Sequence, residues 1–178
     1  NLFNMSLNFE RAVKDITITK QWQDADDQDG LRPTQVTVNI LADGEVIDRP
    51  VTVTAAEGWT KTVTDLPKYQ EGREIVYTIK ETPVPGYESK VKGYGIINTH
   101  TPEVTTVKGT KVWRDDNNRD GKRPAGITVK LVTAGEVLAE QTVTENEDWS
   151  WSFDILPKYN KGRPIKYSVI EDAVPGYT

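Results

Sequence analysis

One stretch near the start of the chain reads Ile16-Thr17-Ile18-Thr19-Lys20-Gln21-Trp22. Successive side chains of an extended strand point to opposite faces, and β-branched residues favour strands. Ile16, Ile18, Lys20 and Trp22 therefore share one face, which is apolar except for the lysine. The stretch predicts a half-buried β-strand whose inward face carries one charged side chain.

The same pattern returns later, so the sequence contains an internal repeat. Thr110-Lys111-Val112-Trp113 repeats Thr19-Lys20-Gln21-Trp22 after 91 positions, and Leu156-Pro157-Lys158-Tyr159 repeats Leu66-Pro67-Lys68-Tyr69 after 90. A unit of about 90 residues suits one sandwich domain. We therefore expect two repeats, residues 14–102 and 103–178. Residues 1–13 lie outside them and belong to the end of a preceding domain or to an added segment.

Short strands are predicted through the first repeat, at residues 16–22, 35–42, 51–55, 60–64, 74–81 and 93–99. Turn residues separate them, and no stretch sustains the period of an amphipathic helix. Such strands, with turn signals every roughly 8–12 residues, favour an antiparallel β-sandwich. Before the repeat, Phe3, Met5, Leu7 and Phe9 alternate with polar residues and predict one further strand.

The composition disfavours several classes of function. The 178 residues carry 27 acidic and 22 basic side chains, for a net charge of −5. A mildly acidic surface disfavours nucleic acid and anionic membranes as partners. No apolar run approaches the roughly 20 residues that span a bilayer. The chain has no cysteine, so small secreted domains of this composition would need a staple other than a disulfide.

Two further polar side chains interrupt inward faces of the first repeat. Glu81 is in phase with Ile79, and Asn98 is in phase with Ile96. An isolated buried charge is strongly unfavourable, so it must be paired, neutralised or exposed. Polar groups on the inward faces of three strands indicate that Lys20, Glu81 and Asn98 satisfy one another.

These three side chains together predict one reaction. Burial in general lowers the pKa of a lysine and raises that of a carboxyl group, and a neutral amine is a nucleophile. A protonated Glu81 would hydrogen-bond the carbonyl oxygen of Asn98 and then pass its proton to the departing ammonia. The product would be an amide between Lys20 and Asn98, formed once and not reversed.

The second repeat contains only the first two of these positions. Lys111 corresponds to Lys20, and Glu171 corresponds to Glu81. The shift of 90 positions places the acceptor asparagine at about position 188, past Thr178. We therefore expect Lys111 to stay unbonded in this chain, beside an open sheet edge.

The recurring motifs are Thr-Lys-x-Trp, an acidic loop ending Asp-Gly-x-Arg-Pro, Leu-Pro-Lys-Tyr, Tyr-x-x-x-Glu, Pro-Gly-Tyr, and the single Ile97-Asn98-Thr99-His100-Thr101-Pro102. In combination they resemble the Cna B-type domain, the B-repeat of the staphylococcal collagen adhesin, over about residues 15–178. The resemblance implies an all-β fold of tandem immunoglobulin-like (Greek-key, prealbumin-like) β-sandwiches. It also implies an isopeptide bond from Lys20 to Asn98 assisted by Glu81, with Glu171 as its equivalent beside Lys111.

The resemblance further implies a structural stalk module of an extracellular, cell-wall-anchored adhesin or pilin of a Gram-positive bacterium. Its partners would be neighbouring domains of the same adhesin, with a host extracellular-matrix protein reached through another domain, and no cofactor is implied. A rival interpretation is a module that itself grips host matrix. A turnover enzyme is disfavoured, because the one nucleophile–acid set is buried and consumed by its own reaction.

Taken singly, the same residues allow simpler interpretations. A strand-end lysine such as Lys20 ordinarily extends its amine to solvent, and Glu81 alone is typical of a strand-end carboxylate. His100 is the only histidine, so neither a metal site nor a catalytic triad can be built on it.

Two surface features partly match the pattern of known kinds of binding site. Asp116-x-Asn118-x-Asp120-Gly121 matches the first half of a calcium loop, but Ile127 occupies the position of the bidentate glutamate. A solvated turn without metal is therefore expected. The five tryptophans are also compatible with a carbohydrate platform, but Trp22 and Trp113 are in phase with core residues, which favours packing.

Overall fold

A computed structural model describes all 178 residues, and it confirms the all-β class. Helical structure is limited to one 3-10 turn, Glu145–Glu147. No helix has the length and apolarity needed to cross a membrane. The chain separates into two compact units, Asn1–Asp26 with Leu31–Thr101, and Asp27–Gly30 with Pro102–Thr178.

The first unit contains ten strands, β1 to β10. They are β1 Val13–Gln23, β2 Gln35–Ala42, β3 Glu45–Val46, β4 Val51–Thr54, β5 Thr60–Pro67, β6 Tyr69–Gln70, β7 Arg73–Glu74, β8 Tyr77–Glu81, β9 Glu88–Lys92 and β10 Gly95–Thr99. One sheet has the order β5-β1-β10-β9, and in the other β2 pairs with β3, β4 and β8. β6 and β7 form a separate short hairpin. The predicted strand 74–81 is interrupted between β7 and β8, and β9 was not predicted.

The two sheets of the first unit enclose one apolar core. Ile16 and Ile18 of β1 and Ile96 of β10 are buried from one sheet, and Val38 and Ile40 of β2 from the other. Alternate residues of β1 and β2 are buried, as a period of two requires. The inward faces read from the sequence are therefore the faces that form the core.

The second unit contains seven strands, β11 to β17. They are β11 Val104–Thr110, β12 Gly126–Thr133, β13 Glu136–Thr144, β14 Ser150–Pro157, β15 Tyr159–Asn160, β16 Arg163–Pro164 and β17 Ser168–Glu171. β11 pairs with β14, and the other sheet has the order β13-β12-β17. No strand lies on the side of β11 that corresponds to the β10 side of β1.

The core of the second unit is smaller and is partly covered by tryptophan. Val107, which corresponds to the buried Ile16, is only half-buried. Gly109 occupies the position of Ile18, and a Cβ atom there would lie 2.6 Å from the Trp151 ring. Trp151 therefore fills the space that an isoleucine side chain occupies in the first unit, and it packs against the core with Trp113 and Trp149.

The predicted N-terminal strand is wrong. Residues 1–12 have no regular secondary structure, and Leu2, Phe3, Met5, Leu7 and Phe9 are 81–100% exposed. A strand needs a neighbour that takes up its backbone hydrogen bonds. No strand pairs with residues 3–9, so alternation alone did not determine their structure.

Candidate functional site

The candidate site of the first unit is assembled from three strands. β1 runs parallel to β10, with Lys20 opposite Ile96 and Trp22 opposite Asn98. Because residues two apart share a face, the side chains of Lys20 and Asn98 project from neighbouring strands into the same interior. Glu81 ends β8 in the other sheet, so it approaches the same point from across the core.

Lys20, Glu81 and Asn98, hereafter the buried trio, make two direct contacts. The Asn98 side-chain amide donates a hydrogen bond from Nδ2 to Glu81 Oε1 over 2.8 Å. The Lys20 Nζ lies 3.2 Å from Glu81 Oε2, and the two side chains are 0% and 1% exposed. Glu81 therefore touches both the amine and the amide.

The trio retains unsatisfied polar atoms although it is sealed from solvent. Lys20 Nζ and Glu81 Oε2 form an ion pair but have no hydrogen-bond partner. Asn98 Oδ1 also lacks one. Buried polar groups without partners are costly, and they mark sites where a structure stores reactivity or strain.

Burial lowers the pKa of the Lys20 amine below its ordinary value. Desolvation of the ammonium is the largest cause, and it outweighs the opposing attraction of Glu81 and Asp24. The Trp22 ring lies 4.1 Å from Nζ and shields the amine on one side. The lowered pKa makes the neutral, nucleophilic form of Lys20 more accessible than that of an exposed lysine.

One detail of the geometry differs from the sequence-based mechanism. Glu81 was expected to hydrogen-bond the carbonyl oxygen of Asn98, but it contacts the amide nitrogen instead. An acid at this nitrogen is adjacent to the group that leaves as ammonia. The contact therefore lies where the second expected role of Glu81, protonation of the departing ammonia, would act, and not at the carbonyl oxygen of the first.

In the second unit, the corresponding pair is formed but not buried. Lys111 Nζ lies 3.0 Å from Glu171 Oε1 and 2.9 Å from Oε2, and the two side chains are 22% and 33% exposed. The Trp113 ring lies 4.8 Å from the amine. No asparagine faces this pair, because β11 has no neighbour on that side.

The acidic loop of the second unit and His100 make contacts within the chain. Asp116 and Asp120 both contact Arg119, at 3.4 and 3.5 Å, and the Asn118 side chain accepts a hydrogen bond from the Arg123 backbone. No group of three or more His, Cys, Asp or Glu side chains is arranged to hold a metal ion. His100 Nδ1 donates to the Gly86 carbonyl oxygen over 2.8 Å.

Sequence reasoning missed a second polar cluster, formed by Asp24, Arg32 and Tyr87. Arg32 donates to the Asp24 carboxylate from Nε over 3.1 Å and from Nη2 over 2.6 Å. The Tyr87 hydroxyl donates to the same carboxylate over 2.7 Å. The signal was the repetition of Arg-Pro and Pro-Gly-Tyr in both repeats, which carried no role in the sequence-based mechanism.

Fold and site together define a tandem β-sandwich repeat protein in which a lysine, a glutamate and an asparagine are buried side by side. The chain belongs to the Cna protein B-type domain family, whose family model matches residues 16–99 and 107–178. The resemblance inferred from the motifs is therefore confirmed, and with it the immunoglobulin-like sandwich fold.

Two kinds of relative support the assignment. The collagen adhesin of Staphylococcus aureus is 39% identical over 168 residues, which are 91% of this chain and 14% of that protein. A crystal structure of two B repeat units of the S. aureus collagen-binding protein matches with a TM-score of 0.83 and 38% identity, covering 91% of this chain and 45% of that chain. A single B repeat unit of the same protein is 39% identical and covers 94% of this chain and 90% of that one, with a TM-score of 0.49. The chain thus spans about one seventh of the curated relative that it matches.

Proposed function

We propose that this chain is a structural stalk segment of a Gram-positive surface adhesin or pilin, and that its first unit is stapled by an amide between Lys20 and Asn98. The observation that carries the proposal is the buried trio, in which Glu81 contacts both the lysine amine and the asparagine amide. The curated relative that it matches is named a collagen adhesin. The location that follows is extracellular, on a chain anchored to the cell wall.

The reaction begins with a proton transfer within the trio. The ammonium of Lys20 gives a proton to the Glu81 carboxylate 3.2 Å away, which leaves a neutral amine and a carboxylic acid. The low dielectric of the core favours this exchange, because it removes two opposite charges that water does not solvate.

Bond exchange then occurs at the Asn98 side chain. Lys20 Nζ attacks Cγ, so a C–N bond forms and the carbonyl oxygen carries the developing negative charge. Glu81 donates its proton to Nδ2, the Cγ–Nδ2 bond breaks, and ammonia leaves. The surplus proton on Nζ returns to Glu81 and completes the balance of one amide formed and one ammonia released. No cofactor or metal takes part in any step.

Such a bond would stabilise a domain that has no disulfide. The chain has no cysteine, and a disulfide-free extracellular domain of this size gains little resistance from its small core alone. An amide between β1 and β10 would join the first and last strands of the unit. Proteolysis and shear act on opened chains, so locking both end strands would protect the stalk.

Intact mass spectrometry tests the cross-link directly. The 178-residue chain is expected to be lighter than its sequence by one ammonia and not by two, with Lys20 and Asn98 recovered as one branched peptide and Lys111 as a free amine. Lys20→Ala, Glu81→Gln and Asn98→Ala should each restore the full mass. A wild-type chain of full sequence mass after native purification would refute the proposal, as would a branch at Lys111.

The alternative function is direct binding of host matrix, which the name of the collagen adhesin relative favours. The matched segment is only 14% of that protein, so its binding activity is not thereby assigned to this segment. A stalk segment should give no saturable binding to immobilised collagen, fibrinogen or fibronectin in surface plasmon resonance. If both the wild-type and the Glu81→Gln chains bind saturably, the adhesive function is favoured instead.

A further inference from the structure

A cluster of aromatic side chains covers the reactive lysine of the first unit. Trp22 lies over Lys20 Nζ. Trp59 packs edge-on against the Trp22 ring, with centroids 5.1 Å apart at 68°. Tyr87 packs edge-on as well, at 4.9 Å and 74°. We call Trp22 and Trp59 the lid, since Trp22 lies over the amine and Trp59 packs against Trp22.

Polar contacts hold the lid in place. The Tyr87 hydroxyl and the Arg32 guanidinium both bind the Asp24 carboxylate, which is only 2% exposed. We call Asp24, Arg32 and Tyr87 the latch. Paired, charge-assisted hydrogen bonds of this kind fix geometry more tightly than packing alone.

The lid is strained, which indicates that its position is imposed. Trp59 has a φ of +59°, in the left-handed region that bulky residues avoid. In this conformation its carbonyl accepts the backbone N–H of Lys20 over 2.9 Å. The Trp22 indole nitrogen is buried without a hydrogen-bond partner. Both features are unfavourable alone, so the surrounding contacts must offset them.

The second unit repeats the whole arrangement although it lacks the strand that would carry asparagine. Trp113 packs on Trp149 at 5.2 Å and 74° and on Tyr177 at 5.0 Å and 69°. Tyr177 donates to Asp115 over 2.7 Å, and Arg123 donates to it over 2.6 Å. As in the first unit, Trp149 has a positive φ, +60°, and its carbonyl accepts the Lys111 backbone N–H.

We propose that the lid and latch are a positioning device that holds Lys20 in place for the reaction and shields its amine from water. Arg32 and Tyr87 are then positioning residues for the cross-linking reaction, because they contact the Trp22 ring and bind Asp24 beside it. This inference rests on the proposed cross-link.

The test removes one hydrogen bond of the latch and leaves the aromatic ring. Unreacted chains are recovered from inclusion bodies in guanidinium and refolded by dilution. The reaction is quenched at intervals, folding is followed by circular dichroism, and the bonded fraction is read from intact mass. Tyr87→Phe is expected to form the bond about tenfold more slowly than wild type, since it loses one hydrogen bond to a charged group. The matched variant Tyr177→Phe, in the second unit, should react at the wild-type rate.

A pH profile separates positioning from a general loss of stability. Desolvation is the main cause of the lowered Lys20 pKa, so a loosened lid admits water and raises that pKa. The rate profile of Tyr87→Phe is expected to shift to higher pH. The groups that face the amine, Glu81, Asp24, Trp22 and Asn98, are unchanged in this variant. Arg32→Lys, which keeps the charge but loses the paired contact, should shift the profile in the same direction.

Failure of the proposed cross-link and failure of this inference would give different results. A wild-type chain that loses no ammonia refutes the cross-link, and this inference with it. If the wild-type chain reacts, and the Tyr87→Phe and Arg32→Lys chains react with the same rate or pH profile, this inference is refuted. The cross-link itself then stands.

Discussion

Replacing Glu81 with glutamine is expected to lower the melting temperature of the first unit by about 15–40 °C. The proposed bond closes a loop of 79 residues, from Lys20 to Asn98, and a cross-link of that span stabilises by about 4–5 kcal/mol through the entropy of the unfolded chain. In a domain of this size roughly 1 kcal/mol shifts the midpoint by about 4–8 °C. Calorimetry of the wild-type and Glu81→Gln chains measures the difference.

Glu171→Gln is the matched control for this measurement. The same chemical change then falls on the second unit, where the Lys111–Glu171 pair is 22% and 33% exposed and closes no loop. An exposed ion pair contributes little, so the melting temperature should change by only a few degrees. If an unbonded Glu81→Gln chain also melts within a few degrees of wild type, the cross-link does not stabilise the domain.

Pulling the chain from its two ends is expected to extend the second unit but not the first. β1 and β10 are neighbours, so a bond between Lys20 and Asn98 would pass force directly from one to the other. Residues 21–97 would then bear no load. About 270 Å of chain, at about 3.5 Å per residue, would therefore not contribute to the extension. Single-molecule force spectroscopy should show one long extension step in wild type.

The Glu81→Gln chain should instead show two long steps. The second unit serves as an internal reference in every trace, because its Lys111 has no acceptor. Two steps in a wild-type chain whose mass shows the bond would mean that the bond does not lie in the path of the force. That result would contradict the proposed stalk role without contradicting the chemistry.

Local patterning predicted which residues face the interior. The alternation of Ile16, Ile18 and Lys20 appears in the structure as successive buried positions of β1, and Glu81 and Asn98 are buried in phase with their neighbours. The same rule failed for residues 3–9, which alternate equally well but have no partner strand. Alternation states which face a side chain takes in a strand, and pairing decides whether the strand exists.

The motifs also predicted the family and the sandwich fold, because both repeats reproduce them at constant spacing. They did not predict the latch. Tyr87 is 63 positions from Asp24 in the sequence, and no local period connects the two residues. Repetition showed that these positions matter, but their roles depend on long-range contacts.

By itself, then, the sequence determined the β-sandwich class, the two repeats, and the inward phase of a lysine, a glutamate and an asparagine. Only the tertiary structure decided that β1 lies parallel to β10 with Lys20 opposite Ile96 and Trp22 opposite Asn98, and that Glu81 reaches the amide nitrogen rather than the oxygen. The reason is physical: the face of a side chain follows from the geometry of its own strand, whereas the strand's neighbours are chosen by burial and hydrogen bonding over the whole domain.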